Sequence, residues 1–153
     1  MQRITTFLWF TDNAEEAANF YTSIFKHSKI KEVSRYGDAG PGPKGTAMVV
    51  KFELDGQEFL ALNGGPQFTF TEAISLLVSC KDQKEIDHYW EALSAGGEKV
   101  QCGWLKDQFG LSWQIVPENM GELMAPKDPA KAARAMKAML QMTKIDIAAL
   151  KNA

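Results

Sequence analysis

The sequence predicts an α+β fold in which two βαβββ modules are followed by a C-terminal helical extension. Two observations favour this fold. The first half of the chain has the order strand, helix, strand, strand, strand, and the second half starts this order again. Aligning Phe20 and Tyr21 with Tyr89 and Trp90 also superimposes the predicted helices and first strands of the two halves. Two such modules, paired through their sheets, would enclose a curved cavity.

Hydrophobic periodicity and turn residues define the first module. The apolar run Ile4–Phe10 predicts a buried strand, and Asn13 precedes a helix whose apolar residues recur at helical spacing. Three further strands are predicted at Lys29–Tyr36, Thr46–Leu54 and Glu58–Asn63. Asp55 and Gly56, which separate the last two strands, are a pair typical of tight hairpins.

The second module is predicted in the same way. Ala73–Ser79 is a strand, and the spacing of Asp82 and Glu85 predicts a capped helix that ends at Gly96 and Gly97. The remaining elements are one strand or two short ones within Glu98–Leu105, a turn at Asp107–Gly110 and a last strand at Leu111–Pro117.

Residues 1–125 are predicted to form one domain, with modules at about 3–63 and 72–117, and residues 126–153 a helical extension of that domain. Apolar residues of the extension recur at spacings of four and three, as on one helix face: Met136, Leu140, Thr143, Ile147 and Leu150. The spacing of Thr143 and Asp146 also suits the cap of a second short helix, so a break there stays open.

The extension is basic and the rest of the chain is acidic. From Pro126 onward the net charge is +4, and the preceding residues carry −6. A basic segment of this kind can pack on the rest of its own chain, cover a ligand cavity or contact a second copy of the chain. The charge pattern does not distinguish these three arrangements.

Composition excludes several classes of protein. The chain has 17 basic and 19 acidic residues, a net charge of −2, which argues against nucleic-acid binding. No apolar run approaches the roughly 20 residues of a membrane span. Cys80 and Cys102 are too few for a disulfide framework, and the N-terminus lacks the pattern of an export signal. We therefore predict a cytoplasmic protein.

The segment Gly40–Gly45 matches the pattern G-x-G-x-x-G, but its context argues against a nucleotide site. A dinucleotide fingerprint needs a helix after it and backbone N–H groups that point at the phosphates. Two prolines remove such donors here, and the following residues are strand-like. We predict a flexible loop near the mouth of a pocket.

The histidines and cysteines show no metal-ligand spacing. His27 and His88 are predicted at the end of the first helix and within the second, and neither cysteine lies in a C-x-x-C motif. A Cys–His nucleophile pair is not excluded by spacing, but nothing local activates either thiol.

The segment from Cys102 to Pro117 carries the clearest sign of a binding site. In its last strand Gln114 shares a face with Ser112, while Trp113 and Ile115 lie on the other face. Cys102 and Trp104 are predicted to share a face in the same way. An inward amide needs a hydrogen-bond partner, which is a polar ligand, a water, a metal ion or the core backbone.

Three motifs together resemble the PhnB-like branch of the vicinal oxygen chelate superfamily, often labelled demethylubiquinone methyltransferase-like. The motifs are F-L-W-F-x-x-N-A-x-x-A-x-x-F-Y at 7–21, N-G-G-P-Q at 63–67 and C-G-W-L-K-D-x-F-G-x-S-W-Q at 102–114. That superfamily includes glyoxalase I, bleomycin-resistance proteins and extradiol dioxygenases. The resemblance covers nearly the whole chain and implies paired βαβββ modules around a cup-shaped site, usually in a homodimer.

The resemblance also marks four positions at which enzymes of the superfamily hold a divalent metal. Here they fall at Thr6, near Ala61 or Asn63, near Ala73 and at Gln114. An amide and a hydroxyl supply neither negative charge nor imidazole, so we predict no bound metal and no cofactor. A methyl-donor site needs a glycine-rich turn from a strand to a helix, and the glycine-rich segment of this chain is the proline-containing loop Gly40–Gly45. The methyltransferase label therefore has no support in the sequence.

We therefore predict a metal-free homodimer that binds a small, partly apolar molecule and binds neither nucleic acid nor a membrane. No catalytic residue is assigned, and whether the chain is an enzyme stays open. The predicted ligand-binding residues are Thr6, Leu8, Asn63, Ser75, Trp104 and Gln114. Two alternatives remain: a metal-dependent lyase or dioxygenase that uses Glu72 or Glu58, and a protein-interaction module that acts through the basic extension.

Overall fold

The computed structural model describes residues 2–153, which form two compact units. The first unit ends at Phe70 and the second begins at Thr71. Each unit contains one four-stranded sheet. None of the helices in residues 2–153 combines the length and the apolar character that a membrane span requires.

The first unit has the predicted order of elements. They are β1 (Thr6–Phe10), α1 (Ala14–Ile24), β2 (Lys29–Arg35), β3 (Ala47–Leu54) and β4 (Gln57–Asn63). The sheet order is β1-β4-β3-β2, in which β1 runs parallel to β4 and the other neighbours are antiparallel. Each predicted strand is confirmed, with ends that differ by at most two residues. The first strand is not buried throughout as predicted, because Phe7 is exposed, and the predicted start at Ile4 lies outside it and is exposed as well.

Aromatic rings attach α1 to one face of the first sheet. The ring of Tyr21 lies 6.1 Å from that of Phe52, which stacks on Phe59 at 5.5 Å. All three side chains are buried. Burial of this aromatic area drives the helix onto the sheet and leaves the opposite face of the sheet uncovered.

The hairpin between β3 and β4 is confirmed in detail. Asp55 and Gly56 have φ values of 49° and 83°, so both adopt the left-handed conformation. A two-residue turn of this kind matches the twist of the flanking strands. Glycine reaches this conformation without strain, and aspartate is among the residues that tolerate it best.

The second unit repeats the architecture of the first. Its sheet and helix are β5 (Ser75–Cys80), α2 (Gln83–Ser94), β6 (Glu98–Lys99), β7 (Trp104–Lys106) and β8 (Ser112–Pro117). The sheet order β5-β8-β7-β6 again places the first strand parallel to the last. Two short strands, and not one long one, occupy the region 98–106. The predicted fold class of two βαβββ modules is confirmed.

Helix α2 begins and ends where the sequence predicts. The Asp82 carboxylate accepts a hydrogen bond from the backbone N–H of Glu85 at 2.9 Å. The Glu85 carboxylate accepts one from the N–H of Lys81, one residue earlier than a standard capping box requires. The helix stops before Gly96, whose φ is 74°.

The C-terminal extension is helical but broken. It contains α3 (Met120–Met124), α4 (Pro129–Leu140) and α5 (Ile147–Lys151). The cap predicted near Thr143 is formed by Asp146, whose carboxylate accepts from the N–H of Ala149. The single apolar face is wrong: Met136 and Leu140 are 45% and 52% exposed, whereas Leu150 is buried. The break places Met136 and Leu140 on α4 and Leu150 on α5, so these residues do not lie on one face of a single helix.

The extension is attached to its own unit by main-chain hydrogen bonds. The N–H groups of Cys102 and Gly103 donate to the carbonyls of Met142 and Thr143 at 2.8 and 2.7 Å. The amide of Gln83 bonds two further main-chain groups on either side of Asp146. Of the three arrangements left open by the sequence, packing of the extension on its own body is observed.

Candidate functional site

One face of the second sheet is left open by α2. Trp113 and Ile115 are buried on the α2 side of β8. Gln114 lies between them in sequence and is only partly buried, because side chains of a strand alternate between its two faces. The predicted division of this strand is confirmed. Trp104 lies directly opposite Gln114 on β7 and is also partly exposed.

Three of the predicted ligand-binding residues meet on this face. Gln114 Nε2 donates a hydrogen bond of 2.9 Å to Ser75 Oγ on the neighbouring strand β5. Leu77, the register partner of Gln114 on that strand, is 55% exposed. We call the group Ser75, Leu77, Trp104, Ser112 and Gln114 the open-face cluster. It combines an indole and a leucine with neutral polar groups.

The open-face cluster has polar atoms that the protein itself does not satisfy. Within residues 2–153, Ser112 Oγ is buried without a protein hydrogen-bond partner. Ser112 is the register partner of Ser75 and shares a face with Gln114. Because buried polar atoms in proteins are nearly always bonded, this hydroxyl indicates a water or a ligand at the cluster.

An ion pair lies beside the open-face cluster. Lys106 lies two residues beyond Trp104, on the same face, and its ammonium group pairs with the Glu72 carboxylate. This hydrogen bond lowers the pKa of Glu72 and raises the pKa of Lys106. The pair adds no net charge to the cluster and engages one of the two carboxylates that the metal-dependent alternative uses.

Glu58, the other carboxylate that a metal-dependent enzyme would use, is also paired with a lysine. Glu58 Oε2 accepts a hydrogen bond from Lys31 Nζ at 3.1 Å, which raises the pKa of the lysine. Within residues 2–153, no three His, Cys, Asp or Glu side chains come together in a group that could hold a metal ion.

In the first unit, Thr6 and Leu8 lie on the face that α1 covers. Leu8 is opposite Ala61 and Thr6 is opposite Phe59, a residue of the aromatic group beneath α1. Leu8 is 5% exposed. Phe7 and Trp9 therefore occupy the open face of this sheet, which sequence reasoning did not anticipate because every residue of β1 after Thr6 is apolar. Ligand binding by Thr6 and Leu8 stays a prediction.

Both polar atoms of the Asn63 side-chain amide form hydrogen bonds with the main chain. Its Oδ1 accepts a hydrogen bond of 2.8 Å from the N–H of Ala14, the first residue of α1. Its Nδ2 donates to the carbonyl of Ala47 at 3.1 Å. This residue of β4 thus caps α1, while the side chain of Asn13 makes no cap bond. Ligand binding by Asn63 stays a prediction.

The glycine-rich loop serves a packing role. A Cβ on Gly40 would lie 2.6 Å from Tyr36 Cδ1, and one on Gly42 would lie closer still to the same ring. Strand β3 follows the loop, as predicted, and no helix begins there. The two glycines of the nucleotide-like pattern therefore leave room for Tyr36. The loop and residues 63–67 line a cavity of about 410 Å³.

The thiol of Cys80 is not an activated nucleophile. Burial, followed by the nearby carboxylates of Glu85 and Asp82, raises the pKa of Cys80 to about 12. A thiol of this kind is protonated at neutral pH and inert. Cys102 lies in a turn with φ of 58°, not in a strand with Trp104, so the predicted shared face is wrong. A left-handed residue breaks the alternation on which that prediction depends.

Asp107 is a structural residue whose role the sequence did not reveal. Its Oδ1 accepts from the N–H groups of Phe109 and Leu111 at 2.8 and 3.1 Å. Its Oδ2 accepts from Trp113 Nε1 at 2.9 Å. The carboxylate is nearly fully buried and fixes the turn between the strands that carry Trp104 and Gln114. An aspartate that opens a tight turn was the available signal.

The fold of two βαβββ modules is that of the glyoxalase, bleomycin-resistance and dioxygenase superfamily, also called vicinal oxygen chelate. A family model described as 3-demethylubiquinone-9 3-methyltransferase matches residues 2–116. The chain belongs to this family, the PhnB-like branch of the superfamily. A comparison with curated proteins gave no match.

Solved structures agree with this assignment. A PhnB protein from Bacillus cereus is 43% identical, with 75% of this chain and 99% of that one covered and a TM-score of 0.70. Protein PA1353 from Pseudomonas aeruginosa is 19% identical, with coverages of 76% and 98% and a TM-score of 0.64. The fosfomycin resistance protein FosX from Listeria monocytogenes, complexed with Mn(II) and sulfate, is 16% identical, with coverages of 76% and 89% and a TM-score of 0.52. The last two share the fold alone.

Proposed function

We propose that this chain binds a small, neutral, partly apolar molecule at the open-face cluster, without a metal ion. The observation that carries the proposal is the Gln114–Ser75 hydrogen bond beside Trp104, together with the unpartnered hydroxyl of Ser112. A few convergent polar groups on an otherwise apolar surface are typical of small-molecule sites.

The chemistry of the cluster defines the ligand class. The nitrogen of the Gln114 amide is held by Ser75, and its oxygen Oε1 can accept a hydrogen bond from a ligand. The hydroxyl of Ser75 can in turn donate its own proton. Trp104 offers a ring face to a flat apolar body. An aromatic or alicyclic molecule with a hydroxyl or amide group satisfies all three requirements.

The donor set argues against the metal-dependent alternative. Divalent cations such as Mn²⁺ are held by carboxylates and imidazoles, and the cluster supplies one neutral amide and two hydroxyls. Glu72 would have to leave Lys106 to become a ligand. Methyl transfer, which the family description names, is not proposed, because the glycine-rich loop leads into a strand and packs on Tyr36.

Uncovered apolar side chains support a homodimer. Leu77 and Ile74 in the second unit are 55% and 69% exposed, and Phe7 and Phe68 in the first are 54% and 63% exposed. Contiguous exposed apolar surface marks interaction sites, and these side chains supply apolar area for a partner. We expect sedimentation equilibrium to give the mass of two chains, and a mass of one chain at micromolar concentration would contradict the dimer.

A titration with 2-naphthol tests the proposed site. This probe has a flat apolar body and a hydroxyl that can donate to Gln114 Oε1. We expect saturable binding that shifts the indole N–H resonance of Trp104, and Gln114→Leu should weaken it about tenfold through loss of the hydrogen bond. Gln141→Leu, at an exposed residue of the extension, is the matched control and should bind like the wild type.

Two outcomes contradict the proposal. One is the absence of saturable binding of 2-naphthol. The other is equal affinity of Gln114→Leu and Gln141→Leu, which would mean that the amide is not in contact with the probe. 2-Methoxynaphthalene, which has the same ring system without a hydroxyl proton, should bind as weakly to the wild type as 2-naphthol does to Gln114→Leu.

A further inference from the structure

The first unit contains a cavity whose lining differs chemically from the open-face cluster. It has a volume of about 410 Å³, and every residue that lines it belongs to the first unit. This volume lies within the range of small-molecule sites. Its walls are the loop at 41–43, the turn Thr11–Asp12 after β1 and the segment Asn63–Gln67 after β4.

Hydrogen bonds fix the walls of this cavity. Trp9 Nε1 donates to the carbonyl of Gly65 at 2.9 Å, and the N–H of Gly65 donates to the carbonyl of Thr11 at 3.1 Å. The Tyr36 hydroxyl donates to the carbonyl of Asn63 at 2.6 Å. The cavity is therefore formed before a ligand arrives, which lowers the cost of binding.

The main chain that lines the cavity offers few free hydrogen-bond donors, and the side-chain donors come from Thr11 and Gln67. Pro41, Pro43 and Pro66 have no N–H group. The N–H groups of Gly64 and Thr46 are bonded to protein carbonyls, at 2.9 and 3.1 Å. A ligand that brings its own donors fits this surface better than an anion or a carbonyl compound, both of which would need donors from the protein.

Asp12 supplies the charge of the cavity. Among the described residues that line it, Asp12 alone has a charged side chain, and no cation of the described chain pairs with it. The carboxylate is exposed, so an ion pair with it is accessible to a ligand and is screened by salt.

We propose that this cavity binds a small organic ammonium ion. The ammonium group pairs with Asp12 and brings the donors that the main chain of the lining does not offer, while its hydrocarbon part packs against Pro41 and Pro43. The site goes beyond the proposed function, because the open-face cluster takes a neutral molecule and contains no residue of the first unit.

Benzylamine, a cation near neutral pH, tests this site on the full chain at low ionic strength. We expect saturable shifts of the amide resonances of Gly42, Gly64 and Gly65 in ¹H–¹⁵N spectra. Asp12→Asn should weaken binding about fivefold, the upper range for an exposed ion pair. Asp55→Asn removes the same charge at the β3–β4 hairpin, where asparagine suits the turn, and should leave the affinity unchanged.

Benzyl alcohol, which has the same ring without the charge, separates the possible outcomes. It should shift these resonances at least about fivefold more weakly than benzylamine. Equal binding of the alcohol and the amine, or equal affinity of Asp12→Asn and Asp55→Asn, would overturn the proposal, as would a lack of saturable shifts. Asp12→Asn should still bind 2-naphthol, so failure of this site is distinguishable from failure of the open-face site.

Discussion

Replacing Asp107 with alanine is expected to lower the free energy of unfolding by about 4 kcal/mol. The carboxylate accepts three hydrogen bonds, two from the turn between β7 and β8 and one from the indole of Trp113. Removal of the carboxylate takes away the acceptor of these three hydrogen bonds, two of which are buried. Each lost bond of this kind costs about 1–3 kcal/mol. Urea denaturation followed by circular dichroism measures the change.

Asp38→Ala is the matched control for this prediction. Its carboxylate pairs with Lys44 at 3.1 Å, but both groups are largely exposed. Exposed ion pairs contribute little, so the control should change stability by less than about 1 kcal/mol. Similar losses for the two variants would contradict the role assigned to Asp107.

Replacing Gly97 with alanine is expected to cost about 3 kcal/mol of stability. A Cβ on Gly97 would lie 2.7 Å from the carbonyl carbon of Asp107 and nearer still to the carbonyl oxygen of Lys106. Both atoms belong to the backbone, which cannot move aside as a flexible side chain does. The added methyl group therefore has to displace β6 or β7.

Gly37→Ala separates this steric effect from the general effect of glycine. A Cβ on Gly37 meets no atom within 4 Å. We expect unchanged or slightly higher stability, since alanine restricts the unfolded chain. Thermal unfolding of both variants gives the comparison, and a loss of less than about 1 kcal/mol for Gly97→Ala would contradict the predicted clash.

Local signals in the sequence were sufficient to predict the elements of the two modules. The pair Asp55 and Gly56, the cap at Asp82 and the alternation around Gln114 each specify a short piece of backbone. These signals depend on residues close together in sequence. The repeated order of elements then gave the two modules, and the resemblance gave the family.

The side chains of the candidate site were harder to predict because their partners are distant in sequence. Asn63 caps a helix 49 residues earlier, and nothing near Asn63 indicates this contact. In β1, Phe7 and Trp9 are as apolar as Leu8, so the alternation of polarity that identifies the open face is missing. In β8, by contrast, Gln114 lies between two buried apolar residues, and its face was predicted correctly.

The central claim is that the open-face cluster binds a neutral molecule with its own amide and hydroxyl groups. The most direct test is a titration of the full chain with 2-naphthol, before and after removal of metal ions with EDTA. We predict the same affinity in both titrations, with the same shift of the Trp104 indole resonance. Loss of binding after EDTA treatment, and its return when Mn²⁺ is added, would contradict the claim.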